Sequence, residues 1–207
     1  MRAFIYTGGE VDPSRITEHP KGDDLVIAAD SGLANALLLG ETPSVVLGDF
    51  DSIGATRIPE KAEVLRVPAE KDFTDTQLAV DTALKKGATE ILLVGGLSGR
   101  LDHTLSNLAI LEELQEKQIP AILTDGKNRV RYLKNTSTLI PKSGYRYLSL
   151  LCLSEKAKGV STEGCKYPLK NATLTRSFQY AVSNEIEGNC ALISVRKGGI
   201  YVVESAE

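Results

Sequence analysis

Two aspartates two residues apart follow an apolar run that ends in glycine, in the stretch Val45-Val-Leu-Gly-Asp-Phe-Asp-Ser52. Pro43 stands just before the run, so a strand can begin here without a proline in its middle. If residues 45–47 form a parallel strand, Asp49 and Asp51 lie past its carboxyl end, where open α/β sheets bind ligands. In an extended chain both carboxylates face one side. Their mutual repulsion is relieved by a cation. Mg2+, hard and oxygen-seeking, is the simplest such cation. The plainer alternative is an Asp-rich turn, because Gly, Asp and Ser are ordinary turn residues.

Other groups with chemical potential fall after further apolar runs. Asp30 follows Leu25-Val-Ile-Ala-Ala29, either as a helix cap or as another acid at a strand end. Thr74 with Gln77 reads as a capping box, and Asp75 then sits in a first helical turn, where the dipole alone explains an acid. Lys71 has no capping use before that helix and fits a bound phosphate. Glycines 95, 96 and 99 permit close backbone approach, and Arg100 offers the fork of donors that phosphate accepts. Asp102 and His103 stand at the start of the next helix. His103 and Asn107 are four apart and share a face. His103 is read first as a structural group, and the Asn107 amide is expected to face solvent.

Acids, a few fixed bases and glycines after several strand ends form the inventory of Mg2+–nucleotide chemistry. Thr7-Gly8-Gly9 is not a dinucleotide fingerprint, and no GxxxxGK[ST] loop occurs. No nucleophile with an adjacent base stands out, so direct in-line transfer fits better than covalent catalysis. On the residues alone the chain reads as an Mg2+-dependent phosphoryl or pyrophosphoryl transferase, or a phosphohydrolase.

The elements that must position these groups are legible in periodicity. Strands are expected at 3–6, 25–29, 45–47, 64–67, 90–94, 119–123 and 128–132, with helices near 30–40, 74–86 and 102–117 between them. Alternation of this kind means a parallel wound α/β domain. From residue 135 onward the pattern changes to short strands with Gly, Asn and Ser turns, which indicates an all-β sandwich or part-open barrel. The expected division is 1–133 for the α/β domain and 134–207 for the β domain. Phe178 and Tyr180 are expected at a loop or edge, as packing groups or ligand stackers. A net charge of -3 lacks the basic footprint of a nucleic-acid binder. No run of 18 apolar residues is present to span a membrane. Cys152, Cys165 and Cys190 fit no zinc spacing and suit a reducing compartment, so the expectation is a cytoplasmic protein.

Six stretches in order resemble the thiamine pyrophosphokinase (thiamine diphosphokinase) family: Ala28-Ala-Asp-Ser-Gly32, Gly48-Asp-Phe-Asp-Ser52, Lys71-Asp-Phe-Thr-Asp75, Gly99-Arg-Leu-Asp-His103 with Asn107, Gly164-Cys-Lys-Tyr-Pro-Leu169 and Ser183-Asn-Glu185. Two positions depart from the family pattern: Ser31, where glycine is usual, and Cys165, where an apolar residue is usual. The resemblance implies an N-terminal domain that binds ATP and Mg2+, and a C-terminal β-sandwich that binds thiamine. It implies pyrophosphate transfer from ATP to the thiamine hydroxyethyl group, with release of AMP, by a homodimer whose active site is near the subunit interface. It makes Asp49, Asp51 and Asp75 metal and catalytic residues, with Lys71 a phosphate-side base. Asp30, Gly96, Arg100, Asp102, His103 and Asn107 become nucleotide-side residues, and Ser183 and Asn184 thiamine-side residues. The alternatives are an Mg2+-dependent phosphohydrolase and a non-catalytic thiamine- or nucleotide-binding protein.

Overall fold

The computed structural model describes residues 1–50, 57–66 and 72–207, so Asp51 and Lys71 lie outside the described residues. Contacts divide the chain into Met1–Gly126 and Lys127–Glu207. In the first unit, β1 (Arg2–Tyr6), β2 (Leu25–Ala29), β3 (Val45–Gly48), β4 (Glu63–Arg66), β5 (Glu90–Val94) and β6 (Ala121–Thr124) form parallel ladders in the order β4-β3-β2-β1-β5-β6. Helices α1 (Gly32–Leu38), α2 (Asp75–Lys85) and α3 (Leu101–Glu116) connect them.

The continuous apolar runs have a simple cause. A strand covered on both faces cannot alternate with polar residues. In β1, Phe4, Ile5 and Tyr6 are all fully buried. Phe4, Tyr6, Val26, Leu92 and Val94 pack on one face together with Ala36 of α1. The chain moves outward through β1, β2, β3 and β4, then returns to place β5 on the other side of β1. Right-handed crossovers therefore put α1 on one face and α2 and α3 on the opposite face. The direction of winding reverses between β1 and β5, and ligands bind at such a switch point.

Helix α2 starts where Thr74 predicts: its side chain accepts the Gln77 backbone N–H at 3.1 Å. The other half of the expected capping box is not made. The Gln77 amide instead donates to Glu113 of α3 at 2.9 Å, because the two helices pack side by side. At α1, Ser31 occupies the cap position but makes no side-chain capping bond. Gly32 is the more consequential residue there. A Cβ on Gly32 would stand 2.0 Å from the Tyr6 carbonyl oxygen, so only glycine lets α1 start so close to the end of β1.

The second unit contains β7 (Asn128–Lys134), β8 (Ser137–Pro141), β9 (Tyr147–Leu151), β10 (Lys156–Glu163), β11 (Ala172–Thr175), β12 (Cys190–Ser194) and β13 (Gly199–Ser205). The antiparallel set β7-β13-β9 and the antiparallel set β11-β10-β12-β8 enclose one core. Alternate residues point inward, including Leu148 and Leu150 of β9, Ala191 and Ile193 of β12, and Ile200 and Val202 of β13. This is the expected β-sandwich. The contact boundary falls earlier than 133/134, because β7 pairs with β13 along its whole length.

Glu204 continues the inward series of β13 and is 2% exposed. Its Cα partner across the ladder is Arg129. Arg131 donates to its carboxylate, Arg129 lies 3.7 Å away, and Ser143 Oγ donates at 3.2 Å. A buried charge at an inward position is thus matched by two arginines that share its face.

Candidate active site

The carboxyl ends of β1, β2 and β5, with the starts of α2 and α3, surround a cleft of about 580 Å³ at the β1/β5 switch point. Its walls include Asp30, Asp75, Gly96, Arg100, His103 and Asn107, six of the residues expected from sequence. Asp30 leaves β2 with φ of 49°, a left-handed conformation that aspartate tolerates better than most residues. Its N–H donates to Leu47 O of β3 at 2.8 Å, and its carbonyl accepts the Leu33 N–H of α1 at 3.1 Å. Asp75 enters from the other side as the first residue of α2. Two hard oxygen donors from different elements therefore face one space.

Arg100, just before α3, carries the fork expected of a phosphate binder, and the fork is engaged within the chain. Its Nε and one terminal nitrogen donate to the two oxygens of Asp102, at 3.1 and 2.6 Å. This pairing pushes the Arg100 guanidinium up and holds the Asp102 carboxyl below the usual carboxylate range. Both side chains are mostly exposed, so water screens the pair and little opposes exchange of Asp102 for an incoming anion. Asp102 itself is not part of the cleft wall. It also accepts the His103 N–H at 3.0 Å.

Asn107 departs from its expected solvent-facing position. It is 4% exposed, and its amide donates to Gly96 O at 3.0 Å. The reason is the post-β5 turn, which bends back over α3. Gly96 has φ of 74°, and a Cβ there would lie 2.4 Å from the Asn107 amide nitrogen. His103, one turn earlier on α3, also lines the cleft, so the i,i+4 relation puts both in one cleft wall.

Asp49 follows β3 but is not in the cleft wall. The premise that Asp49 and Asp51 share a side required an extended chain. Phe50 between them has φ of 66°, so the chain is not extended there. Its ring packs against the Ala28–Leu33–Val46 cluster, and the Arg66 guanidinium lies 4.8 Å from the ring centroid. Among the described residues no cluster of three acids, histidines or cysteines could hold a metal. Asp30 and Asp75 nevertheless suit Mg2+, which takes one or two carboxylates and completes its shell with water and phosphate oxygens.

Ser183 and Asn184, expected on the thiamine side, lie in the second unit, where Asn184 but not Ser183 is in the wall of a groove of about 420 Å³ with Leu148, Leu150, Tyr167 and Tyr180. Asn184 Oδ1 accepts the Tyr167 and Glu185 N–H groups at 3.0 and 2.9 Å, and Nδ2 donates to Tyr167 O at 2.8 Å. The amide thus shapes the groove, and among the described residues one of its two Nδ2 hydrogens is engaged. Ser183, with φ of 56°, precedes it, and its N–H donates to Ser149 Oγ at 3.0 Å. Tyr180 belongs to the groove wall, while Phe178 stacks beside it at 5.5 Å between ring centroids.

The site reading from sequence missed Thr7, Gly8, Gly9, Phe73 and Ser98, all in the first cleft. A glycine pair after the first strand was the available signal. Its value depends on β1 being the switch-point strand, which is a tertiary fact.

Known proteins resemble this chain over both units. The model described as thiamin pyrophosphokinase, catalytic domain matches residues 18–123, and the one described as thiamin pyrophosphokinase, vitamin B1 binding domain matches residues 136–200. A thiamine pyrophosphokinase of Bacillus subtilis (strain 168) is 33% identical over 197 residues, spanning 93% of this chain and 92% of that protein. Thiamin pyrophosphokinase 1 of Caenorhabditis elegans is 27% identical over 189 residues, spanning 85% and 77%. A crystal structure of thiamine pyrophosphokinase from Bacillus subtilis superposes with a TM-score of 0.91 at 29% identity, over 100% of both chains.

Proposed function

This chain belongs to the thiamine pyrophosphokinase family, and from that premise we propose that it transfers pyrophosphate from ATP to the hydroxyethyl oxygen of thiamine in an Mg2+-dependent reaction at the β1/β5 cleft. The observation that carries the site assignment is the convergence of Asp30, Asp75, Arg100 and His103 on one cleft at the switch point. Acids for a cation and donors for phosphate are both required there, and both are present.

In the proposed reaction the thiamine hydroxyl oxygen bonds to the β-phosphorus of ATP as the α–β bridging bond breaks. AMP leaves and the hydroxyl proton passes to an acid of the site or to water. When bound, Mg2+ would neutralise charge on the phosphate oxygens. Asp75 and Asp30, which line the cleft, would supply the one or two carboxylates that Mg2+ takes, with Asp49 and Asp51, which follow β3 in sequence, proposed as further acids of the metal site. Arg100 exchanges Asp102 for phosphate oxygens, and Lys71 is proposed as a second phosphate-side base. Gly96 and Asn107 shape the wall against which the nucleotide rests. In-line positioning and charge stabilisation then carry most of the rate.

For thiamine we propose the Ser183–Asn184 side of the sandwich, whose groove has apolar walls, two tyrosines and the Asn184 amide. A homodimer with the active site near the subunit interface, located in the cytoplasm, completes the proposal. No helix among the described residues is long and apolar enough to cross a membrane.

The decisive experiment supplies ATP, Mg2+ and thiamine and quantifies products. AMP and thiamine diphosphate should appear one for one. Inorganic phosphate without thiamine diphosphate would instead identify a phosphohydrolase, and binding without turnover a sensor. Ser183→Ala should raise KM for thiamine several-fold, on the order expected for one lost hydrogen bond, and leave KM for ATP unchanged. A shift in the ATP dependence alone would refute the thiamine-side assignment.

A further inference from the structure

Asn35 lies on the buried face of α1 and is 9% exposed. An amide in such a place is unfavourable unless its polar atoms are bonded. Its Nδ2 donates to two backbone carbonyls of one turn, Thr7 O at 2.7 Å and Gly9 O at 2.9 Å. Between them, the Gly8 carbonyl accepts the Gly96 N–H at 2.8 Å. The turn that leaves β1 is therefore held by α1 through two carbonyls and by the post-β5 turn through the third. The absence of a side chain at Gly32 brings α1 close enough for Asn35, one helical turn later, to reach these carbonyls.

The turn so held is cleft surface. Thr7, Gly8 and Gly9 line the cleft, whereas Asn35 does not. Among the described residues the N–H groups of Gly8 and Gly9 donate to no acceptor. A glycine pair without side chains, with unused N–H groups in a cleft that also holds Arg100, suits an anionic ligand brought close to the backbone. The bonds through Asn35 and Gly96 keep this backbone from relaxing into another turn.

We propose that Asn35 is a positioning residue for nucleotide binding: by clamping the Thr7 and Gly9 carbonyls it holds the Gly8–Gly9 backbone in the shape that receives the phosphates of ATP. This rests on the assignment of the nucleotide to the β1/β5 cleft. Asn35 touches no ligand and acts through the turn alone. Its effect falls on ATP rather than on thiamine, because the turn belongs to the first unit's cleft.

The test uses the full chain with Asn35→Asp and Asn35→Ala. The first keeps the side-chain shape but replaces the donor with an oxygen that repels both carbonyls. The second removes the donor without adding charge and suits a helix. MgATP binding is measured by calorimetry without thiamine, and KM is measured for each substrate. Either variant should weaken MgATP binding about tenfold, the loss expected when about 1.4 kcal/mol of positioning is removed, and should move KM for thiamine by less than about twofold. A folded variant with wild-type MgATP affinity, or with both KM values raised alike, overturns the proposal. So does failure of both variants to fold, since Asn35 would then serve the fold rather than the site. If the wild-type chain binds no MgATP, the nucleotide assignment itself fails and this inference falls with it.

Discussion

Asp75→Asn should fold with near wild-type stability and lose about a thousandfold in kcat/KM for pyrophosphate transfer, at the upper end of what loss of one preorganised charge-stabilising group produces. Two explanations of Asp75 compete, and this variant separates them. As the first residue of α2, Asp75 interacts favourably with the helix dipole, which is worth about 0.3–1 kcal/mol. If that were its whole purpose, Asn would cost a few tenths of a kcal/mol in stability and nothing in turnover. The cap itself does not depend on Asp75, because Thr74 supplies it. Asp75 also lines the cleft with Asp30 and Arg100, so its charge is available to a cation bound to the ATP phosphates. The expected signature is a thermal midpoint lowered only slightly, a collapsed rate and a raised Mg2+ requirement. Wild-type turnover in a folded Asp75→Asn protein would remove it from the proposed metal site.

The largest stability effect is expected at Glu204. Its carboxylate is buried, accepts from Arg131 and Ser143, and lies 3.7 Å from Arg129. Breaking a buried pair by removing one partner costs about 3–5 kcal/mol, because the remaining charge stays buried without compensation. Glu204→Ala removes the carboxylate to which Arg131, 17% exposed, donates and beside which Arg129, 13% exposed, lies. Urea unfolding of Glu204→Ala should therefore show a loss in that range. Glu204→Gln should fall between, since it keeps the size and the Ser143 bond but not the charge. Combining Glu204→Met with Arg131→Met should recover part of the loss, because the Arg131 charge goes with the carboxylate it paired. A loss below about 1 kcal/mol for Glu204→Ala would show that water solvates the cluster and that it is effectively a surface network.

Much of this protein is written locally. Apolar runs bounded by glycine, proline and aspartate mark the strands, because a strand buried on both faces tolerates few polar residues. Thr74 marks the start of α2, because its hydroxyl accepts an otherwise orphaned N–H. The change from alternating strands and helices to short strands marks the second unit. The acids and bases after the strand ends, in their order along the chain, pointed to Mg2+–nucleotide chemistry, and the six motifs to the family.

Tertiary structure decided what is adjacent. Strand order cannot be read from periodicity, which reports only how each element meets the core. The return of the chain to place β5 beside β1 brings Thr7-Gly8-Gly9 against Gly96 and makes a wall of two turns far apart in sequence. The same packing turns Asn107 inward to bond Gly96, where helix position alone predicts a solvent-facing amide. It assigns β7 to the sandwich through its ladder with β13. Phe50, whose ring packs against the Ala28–Leu33–Val46 cluster, has a left-handed backbone, so the extended chain that the Asp-Phe-Asp spacing suggests is not present at Phe50. The types of the site residues were therefore a property of the sequence. Their convergence on one cleft came from long-range pairing, whose free energy depends on contacts that no local window contains.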